Sequence, residues 1–529
     1  MTPSAPGGSG AHARVWGLAL PWLAVVASAL LYAASFPPLR LRPLAWIALV
    51  PLLAVVRRAP ARRAFGLVAA WSFAMAYATG TWMPPAIATY FEQPRFVGFL
   101  FFLFVAGSMV CPYYLLFAAC QRGLARRPGP ALPLLLAAAW VVAELLRGRL
   151  FTGTPFFIGN PWALLGYSQV GFDAVTQVAS LGGIYAVSFV VVAVNAALAE
   201  LWWMRADLRV RPGRAAATLL AGLAPAAAAL AFGALALRGA EGEGAPLVRV
   251  AVVQGNLDLG SQWQSDFYGR NLDVYLDLTR ASLQRSRPAI VFWPEAAMTF
   301  FVDQEPLYRR ALGRVLAAGD AELMAGAPRA EGEGHATRYF NTTFVFEPTG
   351  EIRAAYDKEY LVPFTEYFPL RVDLVRRQFG RAREFTHGTP GAPLPTRAGA
   401  AGIAVCNEAM LPEVVARRVA AGAEYVVNPS NDSWLADEQY SEMQFDVVTV
   451  RAIEQRRYLV RASTSGPSAV IDPFGRVRVR SEPLTRSVIV GGVRPRRDLT
   501  PYQRLGDAFA CACAAAVAVA LFRRRRRRT

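Results

Sequence analysis

The sequence predicts a protein of two parts: a membrane α-helical bundle of about eight spanning helices, and an α/β domain outside the bilayer. Hydrophobic residues make up 54% of the 529-residue chain, more than the core of a water-soluble protein requires. Acidic residues are scarce over residues 1–237, whereas residues 245–500 have the mixed polarity of a soluble domain. The first part contains long apolar runs, and the second contains short β-branched runs that alternate with helical patterns.

Eight apolar runs bounded by Arg, Pro or Gly are the candidate spanning helices. The second run is shorter than the ~20 residues that cross a bilayer, so it needs flanking residues or shielding by its neighbours. The first run is too long for a cleaved signal peptide and lacks a small-residue cleavage site, so we expect it to be retained. The runs are residues 16–36, 43–56, 64–84, 96–120, 130–146, 176–203, 215–237 and 506–522.

The charge distribution predicts the orientation of these helices. The net charge is +18, but much of the excess lies in short loops and in the terminal run 523–528, where the positive-inside rule accounts for it. We therefore expect no nucleic-acid partner. A cytoplasmic N-terminus places most loop arginines inside, and an odd number of crossings then delivers the soluble part to the outer side. The last run returns the chain, so both termini are predicted to be cytoplasmic.

Strand-like and helical patterns alternate from residue 248 onward. This alternation predicts a layered α/β domain with a buried sheet. The predicted limits are 1–240 for a bundle of about seven helices, 245–498 for the α/β domain, and 504–529 for a C-terminal spanning helix with an arginine tail. Predicted strands are 248–254, 289–293, 344–347, 402–405, 425–428, 458–462, 469–472 and 487–492; predicted helices are 266–285, 305–318, 410–421 and 439–457.

Three chemically distinctive residues follow predicted strands, where layered α/β proteins place their sites. Glu295 comes directly after an apolar strand that Pro294 ends. Lys358 is the single lysine of the chain. Either it has been kept by chance, or the position needs a compact ammonium that arginine cannot replace. Cys406 is the one cysteine outside the apolar runs, and a helix start soon after it predicts a thiol at a sharp turn.

These three residue types suit acyl transfer. Glu295 can take the thiol proton, Cys406 can attack a carbonyl carbon to form a thioester, and Lys358 can stabilise the oxyanion. A carboxylate base is preferred because the histidines lie before the first apolar run or in polar, loop-like stretches. We expect no metal or cofactor, since His and Cys show no ligand spacing and no Gly-rich phosphate loop is present.

The order of these motifs resembles the nitrilase superfamily with its Glu-Lys-Cys triad. The motifs are Trp293-Pro294-Glu295, Asp357-Lys358 and Cys406-Asn407-Glu408. A closer resemblance, over nearly the whole chain, is to the apolipoprotein N-acyltransferase family. It is carried by Gln254-Gly255-Asn256, Leu361-Val362-Pro363-Phe364, Ser430-Asn431-Asp432-Ser433-Trp434, Ser35-Phe36-Pro37-Pro38, Phe151-Thr152-Gly153-Thr154-Pro155 and Gly166-Tyr167-Ser168-Gln169.

This resemblance implies a nitrilase-like, four-layer α-β-β-α sandwich on the periplasmic side of a bacterial inner membrane. Cys406 would take an acyl chain from a membrane phospholipid and pass it to the α-amine of a diacylglyceryl-cysteine on a lipoprotein. Glu295 would be the base and Lys358 the oxyanion partner. The resemblance also implies supporting roles for Glu366 and Glu408, and substrate contacts for Trp263 and Trp434.

Two positions depart from the family pattern. Asn407 follows the nucleophile where the family usually has Tyr, and Thr365 stands where it usually has Gly. Because neither is a triad position, the departures bear on substrate preference and rate more than on reaction type. We include Asn407 among the candidate substrate-binding residues.

Other interpretations of the chain stay open. A membrane-tethered nitrilase-type amidohydrolase would resolve the thioester with water, although eight helices exceed what a tether needs. A non-catalytic scaffold or transporter is disfavoured because all three triad positions are filled.

Several residues near the membrane boundary also have two interpretations. Glu144 and Arg147, at i, i+3 spacing, favour an ion pair over contact with a lipid headgroup. Trp82 and Trp162 are interpreted as interface anchors rather than ligands. Residues 361–370 form either an apolar lid at the bilayer surface or an ordinary buried loop.

Overall fold

The computed structural model contains a helical N-terminal region, an α/β domain and a C-terminal helix. It describes residues 9–126, 128–150, 152, 159–205, 210–239, 246–257, 265–368, 384–435 and 437–526. The predicted substrate contact Trp263 and most of the motif at residues 151–155 lie outside the described residues.

The N-terminal region is helical throughout most of its described length. Helices α5 and α6 are joined through a π-helical turn, Ala106–Val110. Among the described residues, three helices are long and apolar enough to cross a membrane: 95–125, 179–204 and 212–238. The helices are α1 Ser9–Ala34, α2 Val50–Arg58, α3 Ala61–Ala78, α4 Met83–Tyr90, α5 Arg95–Val105, α6 Cys111–Ala125, α7 Leu132–Arg149, α8 Asp173–Thr176, α9 Ala179–Met204 and α10 Pro212–Arg238.

The second apolar run forms no single helix of spanning length. A 3₁₀ turn, Arg42–Trp46, precedes α2, whose 9 residues extend only about 14 Å. Helix α9 shields this irregular stretch, because Asn195 accepts the backbone N–H of Leu49 at 2.8 Å and donates to the carbonyl of Ala45 at 2.8 Å. The neighbouring helix therefore supplies hydrogen bonds to backbone groups that lipid could not bond.

Two six-stranded sheets form the centre of the α/β domain. Their strand orders are β12-β1-β2-β3-β4-β5 and β11-β10-β9-β8-β7-β6. Both are mixed: β1, β2 and β3 run parallel, as do β7, β8 and β9, while the outer strands pair antiparallel. The strands are β1 Val248–Gln254, β2 Ile290–Phe292, β3 Glu322–Glu331, β4 Arg338–Phe346, β5 Ile352–Asp357, β6 Leu394–Thr396, β7 Gly399–Ile403, β8 Tyr425–Ser430, β9 Leu459–Ser463, β10 Ala469–Ile471, β11 Val477–Arg480 and β12 Ser487–Val493.

The sheets pack face to face and helices cover their outer faces. In β1, Val250 and Val252 lie in the core between the sheets, and Ala251 and Val253 lie in the core beneath the helices. Both faces are buried, so the strand is apolar at consecutive positions. Helices α11 Tyr268–Ser286 and α12 Pro306–Ala317 cover the first sheet, and α13 Pro412–Ala420 and α14 Glu438–Gln455 cover the second. The result is a four-layer α-β-β-α sandwich.

Helix α14 also contacts the N-terminal region. The guanidinium of Arg40, which follows α1, bonds Asp446 at 2.8 Å and Glu442. At the other end of α14, Glu454 accepts the backbone N–H of Ile184 in α9 at 2.9 Å. These buried charge contacts have strict geometry, so they fix the orientation of the sandwich on the helices. The C-terminal region adds α15 Pro501–Leu505 and α16 Ala508–Arg526, with Asp507 bonded to Arg149 of α7.

Close helix contact at Gly233 of α10 gives a test of the packing. A Cβ atom there would overlap the carbonyl oxygen of Ala174, whereas a Cβ at Gly66 of α3 would meet nothing within 4 Å. We expect Gly233→Ala to destabilise the protein by about 1–3 kcal/mol through overpacking. Gly66→Ala should leave stability unchanged or raise it by about 1 kcal/mol through helix propensity. Apparent melting temperatures in one detergent would measure both; equal values for the two variants would contradict this packing.

Candidate active site

Glu295, Lys358 and Cys406 lie at the same end of the two sheets. Glu295 follows β2 and Lys358 follows β5 in the first sheet, while Cys406 follows β7 in the second. All three are buried, with 6%, 1% and 5% of their surface exposed. They line one cavity of about 820 Å³. The strand ends therefore bring the three predicted residues together.

The Lys358 ammonium lies between two carboxylates. Its Nζ donates to Glu295 at 3.0 Å and lies 2.9 Å from Glu366. Burial lowers the pKa of Lys358, but Glu295 and Glu366 outweigh it and the net pKa is raised. Lys358 is thus a permanent cation, able to stabilise negative charge that develops beside it.

Asn341, on β4, links the same two carboxylates. Its Nδ2 donates to Glu295 and to Glu366, each at 2.7 Å. The backbone N–H of Asn431 donates to the other oxygen of Glu295 at 3.0 Å. Burial raises the pKa of Glu295, and Lys358 and Asn341 oppose this rise. A carboxylate whose pKa is raised is a stronger base than an exposed one.

The backbone at Cys406 is strained. Its φ is +50°, a left-handed value that costs a non-glycine residue about 1–3 kcal/mol. The residue joins β7 to a 3₁₀ turn, Cys406–Met410, so the thiol lies at a sharp turn. Burial and then Glu295 raise the pKa of the thiol to about 12, although Lys358 opposes them. Cys406 rests as a thiol and needs a base to become a nucleophile.

Ser430, at the end of β8, is a polar neighbour of the sulfur, as is Gln444. The Oγ of Ser430 lies 3.6 Å from Sγ of Cys406 and 2.8 Å from Oδ1 of Asp432. Arg461 in turn donates to Asp432 at 2.7 Å. Since Ser430 has one hydroxyl proton, it can donate to Asp432 while the sulfur is a thiol and turn to the sulfur once a thiolate forms.

Glu408 joins the loops that carry Lys358 and Cys406. One oxygen accepts the backbone N–H of Glu359 at 2.8 Å and that of Tyr360 at 3.0 Å, and the other accepts the N–H of Val405 at 2.7 Å. Burial raises the pKa of Glu408, and the backbone donor of Tyr360 opposes it. Glu408 therefore sets the spacing between the ammonium and the thiol.

The other end of the cavity is apolar and lies among the N-terminal helices. Phe364 packs edge to face on Phe101 of α5, with ring centroids 6.3 Å apart. Trp434 packs edge to face on Tyr90 of α4 at 5.7 Å. The apolar lining includes Met75, Phe102, Val105, Ala106, Met109 and Val110. The cavity thus joins a polar reaction centre to membrane-helix side chains.

Several candidates from the sequence lie in this lining. Residues 362–366 line the cavity, as do Trp434 and Asn407. Trp82 and Trp162 also line it and pack around Tyr440, so a place in the cavity wall stands beside their predicted role as interface anchors. An aromatic residue near a membrane boundary suits an interface anchor and a cavity-lining residue equally well, so the sequence does not separate these two roles.

Asn341, Ser430, Asp432 and Arg461 carry no assigned role in the sequence interpretation. For Ser430 and Asp432 a signal existed, because an unusually polar segment follows the apolar strand β8. Asn341 is one of several polar residues in a long strand, and no local pattern distinguishes it from the threonines that follow.

Comparisons with known proteins agree with this architecture. Residues 28–197 match the profile of the apolipoprotein N-acyltransferase N-terminal domain, and residues 249–499 match that of carbon-nitrogen hydrolases. An apolipoprotein N-acyltransferase of Geobacter metallireducens is 32% identical over 92% of both chains. One from Azotobacter vinelandii is 33% identical over 91% of this chain and 90% of its own.

Two solved structures are also similar. An amidase of the nitrilase superfamily from Nesterenkonia covers 51% of this chain and 98% of its own, with 18% identity and a TM-score of 0.39. The NitFhit protein of C. elegans covers 51% of this chain and 65% of its own, with 19% identity and a TM-score of 0.38.

The sandwich and its profile match define a nitrilase-superfamily enzyme, here joined to a membrane region. With full-length relatives above 30% identity, the chain belongs to the apolipoprotein N-acyltransferase family.

The hydrogen bond from Asn341 to Glu295 predicts how the reactivity of Cys406 depends on pH. The carboxylate must be ionised to take the thiol proton, so alkylation of Cys406 by iodoacetamide should slow as pH falls through the pKa of Glu295. Asn341→Leu removes a donor to the ionised form and raises that pKa. The acid limb should move up by about 1–2 pH units, since a bond to a charged group contributes about 1.5–3 kcal/mol.

Alkylation is followed by mass spectrometry of the peptide that contains Cys406. Ser282→Ala, a buried polar change outside the cavity lining, is the control and should leave the limb in place. A uniform drop in rate with an unmoved acid limb would show that Asn341 acts only through packing.

Proposed function

We propose that this protein transfers a fatty acyl chain from a membrane phospholipid, through a thioester on Cys406, to the N-terminal α-amine of S-diacylglyceryl-cysteine on apolipoproteins. The observation that carries the proposal is the continuity of the cavity. Glu295, Lys358 and Cys406 line one end, and side chains of α3, α5 and the π-helical turn Ala106–Val110 line the other. An acyl chain can therefore stay among apolar side chains while its ester carbonyl meets the thiol.

In the first half-reaction, Glu295 takes the proton of Cys406 and the sulfur attacks the ester carbonyl carbon. The oxyanion forms beside the Lys358 ammonium, which Glu295 and Glu366 already hold in place. No reorganisation is needed when charge develops, which is how such a cation lowers a barrier. The lysophospholipid alkoxide leaves and takes the proton from Glu295.

In the second half-reaction, the α-amine of the lipoprotein attacks the thioester. Glu295 accepts the amine proton, and the departing thiolate takes that proton from Glu295, which restores the resting thiol and the carboxylate. Because the two substrates use one thiol in turn, the kinetics are ping-pong. Glu366 and Glu408 position the ammonium and the thiol, and Trp263, Trp434 and Asn407 contact substrate.

The proposal includes a topology. The chain has about eight spanning helices in a bacterial inner membrane, with the catalytic domain, 245–498, in the periplasm and both termini in the cytoplasm. The bundle comprises residues 1–240, and residues 504–529 return to the cytoplasm. A membrane location is supported by the three apolar helices of spanning length among the described residues, and the arginine distribution supports the orientation.

Intact mass after incubation with phospholipid tests the acyl-enzyme. Wild type should gain one acyl chain that hydroxylamine removes, and Cys406→Ala should gain none. Lys358→Arg keeps the charge but not the compact ammonium, so acylation should slow by about 10²–10³-fold, the loss expected for an oxyanion partner. Glu295→Gln should slow it by about 10²–10⁴-fold.

Cys120→Ala, a change at a cysteine outside the cavity lining, should acylate like wild type. An acyl group that persists in Cys406→Ala would refute the assigned nucleophile.

The acceptor separates acyl transfer from hydrolysis. A purified acyl-enzyme should discharge to the amine of a diacylated lipopeptide much faster than to water, giving an N-acyl product. The same lipopeptide with its amine acetylated is the control and should not accelerate discharge. Rapid loss of the acyl group to water, unaffected by the lipopeptide, would instead support a membrane-tethered amidohydrolase.

A further inference from the structure

We infer that Arg147 forms a phosphate-binding site in the wall of the cavity, and that this site takes the phosphodiester headgroup of the acyl donor. The inference rests on the proposed function and specifies the chemistry of its first substrate. Arg147 lies in the last turn of α7, is 3% exposed and lines the same cavity as Cys406.

The hydrogen bonds of Arg147 go to neutral oxygens. Its Nε donates to the carbonyl of Asn160 at 3.1 Å, one Nη donates to the hydroxyl of Tyr114 at 2.7 Å, and the other donates to the carbonyl of Trp162. The guanidinium also lies over the Tyr114 ring, 5.6 Å from its centroid. These contacts position the group without neutralising its charge.

The contact ion pair expected between Glu144 and Arg147 does not form among the described residues, so the prediction of direct contact is wrong; the two charges interact only through space. Glu144 instead accepts the indole N–H of Trp140 at 2.9 Å and the backbone N–H of Leu165 at 2.8 Å. Glu144 packs into the bundle core, while Arg147 faces the cavity. The i, i+3 spacing would allow the two side chains to touch, but Glu144 bonds the N–H donors around it instead.

Three partly buried arginines of the N-terminal region have carboxylate partners, whereas Arg42 and Arg122 donate to backbone carbonyls. Arg40 pairs with Asp446, Arg57 with Glu200, and Arg149 with Asp507. Burying a charge without an opposite charge is costly. The cost at Arg147 falls when an anion enters the cavity, and a guanidinium fork matches the paired oxygens of a phosphate.

The two proposed substrates differ in this group. The acyl donor carries a phosphodiester, whereas the diacylglyceryl-cysteine acceptor carries no phosphate. At the reaction centre, the cation Lys358 already has two carboxylate partners, Glu295 and Glu366, whereas the hydrogen bonds of Arg147 go to neutral oxygens. A site at Arg147 therefore favours the donor over the acceptor in the first half-reaction and is empty of phosphate in the second.

The test compares acyl donors with and without phosphate. Wild type, Arg147→Gln and Arg147→Lys are incubated in micelles with phosphatidylglycerol or with diacylglycerol of the same chains, and acylation of Cys406 is timed by intact mass. Wild type should use the phospholipid at least about 10-fold faster. Arg147→Gln should lose about 10–100-fold with the phospholipid, the loss expected for a charge-assisted pair, and little with diacylglycerol. Arg147→Lys should lie between them.

Two controls separate binding from folding. Arg122→Gln removes a partly buried arginine that also donates to a carbonyl, that of Ala59, but lies outside the cavity lining; it should keep the wild-type ratio of the two donors. Discharge of a preformed acyl-enzyme to a lipopeptide amine should be the same in Arg147→Gln and wild type, because the phosphate has already left.

Three outcomes would each overturn one assignment: the role of Arg147, the identity of its ligand, or the proposed function. An unchanged donor ratio in Arg147→Gln, with both rates lowered equally, would make Arg147 purely structural. Inorganic phosphate at millimolar concentration should slow wild-type acylation by competition; acceleration instead would assign the site to free phosphate and overturn the headgroup assignment. Failure of wild type to form an acyl-enzyme from either lipid would contradict the proposed function itself.

Discussion

The buried ammonium of Lys358 is the interaction on which the site depends. It is almost fully excluded from solvent and lies between Glu295 and Glu366, so removing it would leave two buried carboxylates without their cation. Asn341 bonds both carboxylates and holds the cluster to β4. The same cluster gives the chemistry its two requirements: a base beside the thiol, and a fixed positive charge where an oxyanion forms.

The second constraint is the attachment of the sandwich to the helices. Arg40 bonds Asp446 of α14, and Glu454 of the same helix bonds α9. Helix α14 covers the sheet that carries Cys406, and its Tyr440 lines the cavity. Helix α14 therefore packs both on the sheet that carries the nucleophile and on the N-terminal helices. Because it contacts both parts, it contributes to a cavity that runs between them.

Much of this arrangement could be predicted from the sequence. Strands such as β1 are buried on both faces over consecutive apolar residues, and the three polar residues meet because the strands they follow end at the same end of the two packed sheets. Strand β5, Ile-Arg-Ala-Ala-Tyr-Asp, has little β-branched character and was missed. Helix α2 is short because Asn195, 146 residues away in the chain, replaces helical hydrogen bonds near Leu49. Such long-range partners, like Asn341 for Glu295, leave no local pattern.

The central claim is that one cavity presents a membrane acyl chain to Cys406. It is tested most directly with Cys406→Ala, which cannot turn over, and a phospholipid that carries a photoreactive diazirine along its acyl chain. After irradiation, mass spectrometry should find the label on cavity residues of α3 and α5 such as Met75, Phe102 and Val105, and excess unlabelled phospholipid present during irradiation should prevent this labelling. Label confined to exposed apolar residues such as Leu20, Leu220 and Leu235, with none in the cavity, would contradict the claim.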